Sequence, residues 1–128
     1  MYQQKEFMTE SEQYFYNILK EIEEDYDVKI QPQINLASII EKTINHKYAN
    51  ELFRNIDFGI FDKNYKKLLL AIEINGSSHY RIDRIIRDKK VDKILSEANI
   101  KLIKFYTDYP NERLYVINRI LDNLDLLI

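Results

Sequence analysis

The sequence of 128 residues contains no cysteine, no tryptophan, and only two glycines and two prolines. The lack of cysteine excludes disulfide bonds and thiolate metal sites. No run approaches eighteen consecutive apolar residues, which excludes a membrane span, and the first residues lack the apolar core of a secretory signal. Hydrophobic residues make up 45% and charged residues 31%, which excludes a disordered or collagen-like chain. We therefore expect one soluble, cytoplasmic domain over residues 1–128, with no membrane partner.

The formal net charge of -2 indicates no general attraction to nucleic acid. The charge is nevertheless unevenly distributed, because residues 1–62 hold 6 basic and 12 acidic side chains and residues 63–128 hold 13 and 9. Six basic residues concentrate within residues 79–93, namely Arg81, Arg84, Arg87, Lys89, Lys90 and Lys93. By itself this cluster is typical of a solvated helix face.

The first part of the chain predicts a helix followed by a strand. Thr9 and Glu12 form a capping-box pattern, and apolar residues then recur at helical spacing, which predicts a helix over residues 10–23. A strand is expected over residues 28–36, and Pro32 places it at a sheet edge or at a bulge.

The middle of the chain predicts a β-hairpin. Residues 37–54 indicate a short helix and a loop, and the apolar segments 56–61 and 68–74 then flank the polar stretch 62–67. The second segment is apolar on both faces, which is typical of a central strand covered by helices.

The last part of the chain predicts a helix, a strand and a further helix. Asp83 is the expected N-cap of a helix over residues 84–98, Asn99 its left-handed end, and residues 100–105 a fourth strand. Pro110 is expected to start the last helix. The side chains expected to be buried are Val91, Ile94, Leu95 and Ala98 in the first of these helices, and Leu114, Ile117, Leu121, Leu124 and Ile128 in the second. The predicted order is αβββαβα.

Asp57 and Glu73 are carboxylates inside otherwise apolar strands, where an unpaired charge is costly. A three-residue turn over residues 64–66 would place them directly opposite, with Cβ atoms about 5 Å apart. Two like charges at that distance need a proton or a cation between them, and Mg²⁺ prefers oxygen ligands of this kind. Alternatively, Glu73 pairs with a buried basic residue, and a shift of one residue in the turn would send the carboxylates to opposite faces.

The residues around this pair resemble those of the PD-(D/E)XK, or restriction-endonuclease-like, superfamily. The resemblance is closest to its small bacterial branch related to very-short-patch repair endonucleases. The motifs that carry it are Asp57, then Ile72-Glu73-Ile74-Asn75-Gly76-Ser77-Ser78-His79, then Arg84 and Arg87-Asp88, and the closing strand of residues 100–105. The resemblance implies an α/β fold with an αβββαβ core, in which helices flank a mixed central sheet, plus a C-terminal helix.

The resemblance also implies an activity, that of a metal-dependent DNA endonuclease using Mg²⁺ or Mn²⁺. Asp57 and Glu73 would hold the metal ion, together with the backbone carbonyl of Ile74. His79 would act as general acid or base. Phosphate would be held by Arg84, Arg87 and Lys104. A helix carboxylate such as Glu12 is a possible extra ligand, and Gln33 is expected to line the same cleft.

Asn75 departs from the superfamily pattern, which has lysine at this position. Asparagine can ligate a metal or orient water, but it supplies neither a cation nor a base. The missing charge would come from His79, Lys104 or a helix arginine. Otherwise the chain is an inactive nuclease-like module that binds nucleic acid or protein, or a structural domain with ion-paired carboxylates. A chain of this size has little surface for contacting bases. We therefore expect weak intrinsic sequence specificity, a homodimer, or a partner helicase or methyltransferase.

Overall fold

The computed structural model of the protein describes residues 1–41, 54–76 and 81–124. The elements in chain order are α1 (Glu10–Asp25), β1 (Val28–Asn35), a short 3₁₀ helix (Leu36–Ser38), β2 (Asn55–Asp62), β3 (Leu68–Asn75), α2 (Ile82–Glu97), β4 (Leu102–Tyr106) and α3 (Arg113–Asn123). This order confirms the predicted αβββαβ arrangement with an added C-terminal helix. His79 and most of the segment 37–54 lie outside the described residues.

The four strands form one mixed sheet in the order β1-β2-β3-β4. The first two pairings are antiparallel and the β3–β4 pairing is parallel. Buried side chains of α1 and α3 pack on one face of the sheet, while those of α2 pack in a second cluster on the other. The predicted central position of β3 is therefore confirmed. Within the described ranges, no helix has the length and apolar character that crossing a bilayer requires.

Helix α1 begins with the predicted capping box. The Thr9 hydroxyl accepts a hydrogen bond from the Glu12 amide at 3.1 Å, and the Glu12 carboxylate accepts one from the Thr9 amide at 3.0 Å. Both bonds satisfy donors that a helix start would otherwise leave without partners. The helix ends at Asp25, two residues beyond the predicted boundary.

The β2–β3 turn differs from the predicted one. Residues 63–66 form a four-residue turn, closed by the hydrogen bond that the Asp62 amide donates to the Lys67 carbonyl at 3.1 Å. The Asp62 carboxylate accepts further hydrogen bonds from the amides of Lys66 and Lys67. Leu69 is then an extra residue on β3, since Phe61 pairs with Leu68 and Ile60 pairs with Leu70. This bulge restores the register that the three-residue turn would have produced, so the expected register is confirmed although the turn prediction was wrong.

The starts of the last two helices also differ from the predictions. Arg81 rather than Asp83 is the N-cap of α2, and its side chain makes no capping hydrogen bond. Helix α3 begins at Arg113 rather than Pro110, and its buried residues are Val116, Ile120 and Leu121. Leu114 is exposed, because two residues at about 100° each place it on the side of the helix away from Val116. Ala98, expected in the core, is also exposed since α2 ends at Glu97. Ile128 lies outside the described residues.

Arg119 of α3 supports the outer edge of the sheet at β4. Its Nη1 donates a 2.6 Å hydrogen bond to the Lys104 carbonyl, and its guanidinium lies 4.6 Å from the centre of the Phe105 ring. An edge strand has unpaired backbone groups, and this contact satisfies one of them. The position of β4 therefore depends in part on a side chain from α3.

We expect Arg119→Ala to lower the free energy of unfolding by about 2 kcal/mol, because it removes a charged hydrogen bond and a cation–π contact. Urea unfolding followed by circular dichroism measures the change. Arg113→Ala, which removes an exposed ion pair with Glu21, is the control and should cost much less, because water and salt screen an exposed pair. Equal losses in the two variants would contradict the role assigned to Arg119.

Candidate metal and phosphate site

Asp57 lies where β2 and β3 separate. The last paired residues of the two strands are Phe58 and Ile72, so Asp57 and Glu73 are the next position on each strand. In place of a β2 carbonyl, Asp57 Oδ2 accepts the backbone N–H of Ile74 at 2.7 Å. The bond satisfies a backbone donor at the end of the ladder and holds the Asp57 carboxylate beside β3.

Both predicted carboxylates line one cleft of about 330 Å³ between the sheet and α2. Asn75 lines the same cleft and is only 5% exposed, the one buried polar residue in the described part of the chain. The alternative in which the two carboxylates point to opposite faces of the sheet therefore does not describe this chain.

Burial is the main electrostatic influence on both carboxylates, because it disfavours their charged forms. It raises the pKa of Glu73 to about 7, with Lys104 opposing the rise and Asp88, Asp57 and Asp92 adding to it. Burial also raises the pKa of Asp57, against the effect of the hydrogen bond from Ile74. Two adjacent acids with raised pKa values are typical of a site that binds a proton or a cation.

Helix α2 contributes the predicted arginines to the opposite wall of the cleft, where Arg84 and Arg87 both lie. Arg84 Nε is 3.7 Å from Asp88 Oδ1, beyond hydrogen-bonding distance. It is buried and has no hydrogen-bond partner among the described residues. A buried donor without a partner is costly, so this N–H is suited to an acceptor supplied by a ligand.

Arg54 is a third arginine of the cleft that the sequence analysis did not select. It directly precedes β2, two residues before the buried Ile56, and the sequence offered only that position as a signal. The cleft thus combines three acidic side chains, Asp57, Glu73 and Asp88, with three arginines.

Lys104 lies on β4 in register with Glu73 on β3. Its Nζ donates to Asp92 Oδ2 at 3.1 Å, and it lines a separate groove of about 620 Å³ rather than the carboxylate cleft. Burial lowers the pKa of Lys104, but the hydrogen bond to Asp92 and the negative charges of Asp92, Glu73 and Asp88 together outweigh it, so the net direction is upward. Lys104 is therefore a positive charge on the strand next to Glu73, outside the carboxylate cleft.

Glu12 and Gln33 adjoin the site from the side of Asp57. Gln33 Nε2 donates to Glu12 Oε2 at 3.0 Å, and the negative charge of Glu12 contributes to the raised pKa of Asp57. Neither residue lines the cleft.

The donor set fits a magnesium-like cation. Mg²⁺ is commonly held by one or two carboxylates and keeps several water ligands. Asp57 and Glu73 supply two carboxylates, and Ile74, which lies between the strand residues Glu73 and Asn75, carries the carbonyl expected as a third donor. Among residues 1–41, 54–76 and 81–124, no group of three or more His, Asp or Glu side chains could hold a metal ion. His79 is outside these ranges.

We expect the metal-free protein to lose stability as pH rises from about 4.5 to 7. A carboxyl whose pKa rises on folding binds more protons in the folded than in the unfolded chain, so deprotonation favours unfolding. The raised pKa of Glu73 corresponds to a loss of about 3 kcal/mol over this interval. Thermal unfolding in EDTA at several pH values measures it, and Glu73→Gln should flatten the curve. Parallel curves for the two proteins would show that Glu73 is not the group responsible.

Comparison with known proteins identifies a family. Neither a curated protein nor a solved structure matches the chain significantly. A family model described as a protein of unknown function, DUF2726, matches residues 4–124, which include every element of the fold. The chain therefore belongs to the DUF2726 family of proteins of unknown function.

Proposed function

We propose that this protein is a metal-dependent DNA endonuclease that hydrolyses a backbone phosphodiester. Two half-buried carboxylates, Asp57 and Glu73, facing one cleft with three arginines carry the proposal. The mixed four-stranded sheet and the αβββαβ order are those expected of a PD-(D/E)XK nuclease, and they support the resemblance noted in the sequence.

The charge balance of the cleft supports a substrate that is an anion. Three acidic side chains face three arginines in the cleft, so the formal charges cancel when all six are ionised. A divalent cation held by Asp57 and Glu73 would make the cleft positive, whatever the net charge of the whole chain. A backbone phosphate is an anion of suitable size for such a site.

Different residues would bind the metal ion, bind the phosphate, orient water and transfer a proton. Asp57 and Glu73 would hold Mg²⁺ or Mn²⁺, which when bound supplies Lewis-acid stabilisation of the transferring phosphate. The Nε of Arg84, which has no hydrogen-bond partner among the described residues, and the guanidinium of Arg87 would hold phosphate oxygens. Asn75, with its amide at the same cleft, would orient water, and His79 stays the predicted general acid or base.

A second candidate function is a nuclease-like module that binds nucleic acid without cleaving it. Asn75 favours this candidate, because it is buried at the position where the superfamily carries lysine, and an amide provides no positive charge. The cation nearest to Glu73 along the sheet, Lys104, donates to Asp92 instead of lining the cleft. The enzyme requires a bound metal ion, whereas the module need not bind one, so metal binding separates the two candidates in part and turnover separates them fully.

We expect cleavage of plasmid and of single-stranded DNA to require Mg²⁺ or Mn²⁺ and to stop in EDTA. Asp57→Asn and Glu73→Gln should each reduce the rate roughly 100-fold or more, since each removes a ligand of the ion that stabilises the transition state. Asp83→Asn, which alters an exposed acid on α2, is the control and should cleave at the wild-type rate.

Wild-type activity in either carboxylate variant would refute the assignment of the metal site. Binding of Mn²⁺ and DNA without cleavage of any tested substrate would favour the inactive module over the enzyme.

We expect Arg87→Ala to weaken binding of a short DNA oligonucleotide in Ca²⁺ and to reduce the slope of log affinity against log salt by about one, because one phosphate contact is lost. Lys89→Ala removes an exposed charge on α2 that is not part of the cleft. Fluorescence anisotropy across a salt series compares the two variants. Equal slopes would show that Arg87 contributes only to the general charge of α2.

A further inference from the structure

Gln33 has a backbone conformation that its place in the fold does not require. Its φ is 54°, in the left-handed region that side chains other than glycine rarely adopt. Two other non-glycine residues in the described part share this conformation, Tyr65 in the β2–β3 turn and Asn99 at the end of α2. Turns and helix ends commonly use it. Gln33 differs because it lies within a strand.

The strained residue lies opposite the carboxylate site. In the β1–β2 pairing, Pro32 is paired with Phe58 and Ile34 with Ile56, so Gln33 is at the level of Asp57. Backbone strain at such a position is a reason to look for a function, because strained residues concentrate at functional sites.

The side chain of Gln33 binds a further carboxylate, that of Glu12, which lies outside the cleft. Its Nε2 donates to Glu12 Oε2 at 3.0 Å, while Glu12 Oε1 accepts the Thr9 amide at 3.0 Å. The Glu12 carboxylate is thus fixed by one donor from β1 and one from the start of α1. Its charge acts on Asp57, although Glu12 does not line the cleft.

We propose that Gln33, which lies at the level of Asp57 in the sheet, is a positioning residue of the metal site, which fixes the Glu12 carboxylate and thereby strengthens cation binding. The inference rests on the divalent-cation site proposed above at Asp57 and Glu73. Glu12 acts through space by adding negative charge near the cation, and Gln33 acts only through Glu12. Partners that orient the surroundings of a metal ion commonly change its affinity 10- to 100-fold, that is, by about one to two orders of magnitude.

A merely structural role for Gln33 makes a different prediction. If the Gln33–Glu12 bond served only to attach β1 to α1, its loss would lower the melting temperature and leave cation affinity unchanged. Metal affinity is therefore the measurement that separates the two roles.

The experiment is titration of the full chain with Mn²⁺ by isothermal calorimetry at pH 8, where Glu73 is ionised. We expect Gln33→Gly and Gln33→Ala to weaken Mn²⁺ binding about tenfold each, since both remove the amide. Gln33→Gly should melt a few degrees, roughly 3 to 5 °C, above Gln33→Ala, because glycine accepts the left-handed backbone without strain. Asn99→Gly makes a similar backbone change at the end of α2 and is the control, with wild-type affinity expected.

A double variant tests whether Gln33 acts through Glu12. Glu12→Gln alone should weaken Mn²⁺ binding about tenfold, and adding Gln33→Gly should weaken it no further, because the two residues form one unit. An additive loss would overturn the inference, as would wild-type affinity in Gln33→Gly while the wild-type protein binds Mn²⁺. That last result would leave the proposed metal site intact. Absence of Mn²⁺ binding in the wild-type protein would refute the site and this inference together.

Discussion

The hydrogen bond from the Ile74 amide to Asp57 is the contact on which the site depends. Regular pairing of β2 and β3 ends at Phe58 and Ile72, and beyond this point β3 needs another acceptor for its backbone. Asp57 supplies it with a carboxylate. The same bond that completes the end of the sheet therefore places a charged group in a largely buried position next to Glu73. The site and the local fold cannot be separated, because removing the acid would also remove an acceptor from the ladder.

The elements around this contact supply charges of both signs from different directions. Helix α2 contributes arginines to the facing wall of the cleft, and β4 contributes Lys104 behind Glu73. Helix α1 contributes a further negative charge at Glu12, which Gln33 holds. The electrostatics of the cleft thus arise from every layer of the fold. The net charge of -2 for the whole chain therefore does not indicate the local charge of the cleft.

The bulge at Leu69 shows how closely the site depends on strand register. The four-residue turn at residues 63–66 would, without the extra residue, shift β3 by one position against β2. A shift of one residue reverses the face of every side chain in a strand, so Glu73 would then point away from the cleft. The Asp62 carboxylate stabilises the turn, and the bulge corrects its offset. Two local irregularities together produce the alignment that the proposed chemistry needs.

The amino-acid pattern was sufficient to predict the helices and strands and to select the carboxylate pair, because the signals are local. These signals are helix periodicity, the Thr9–Glu12 capping box and isolated acids in apolar strands. The pattern did not locate the starts of α2 and α3, because the N-cap residues Arg81 and Glu112 make no capping hydrogen bond with their side chains. Nor could it indicate that Arg54 lines the cleft, that Lys104 donates to Asp92, or that Gln33 donates to Glu12. Those features join residues far apart in the chain, and only the packing of the sheet against its helices brings them into contact.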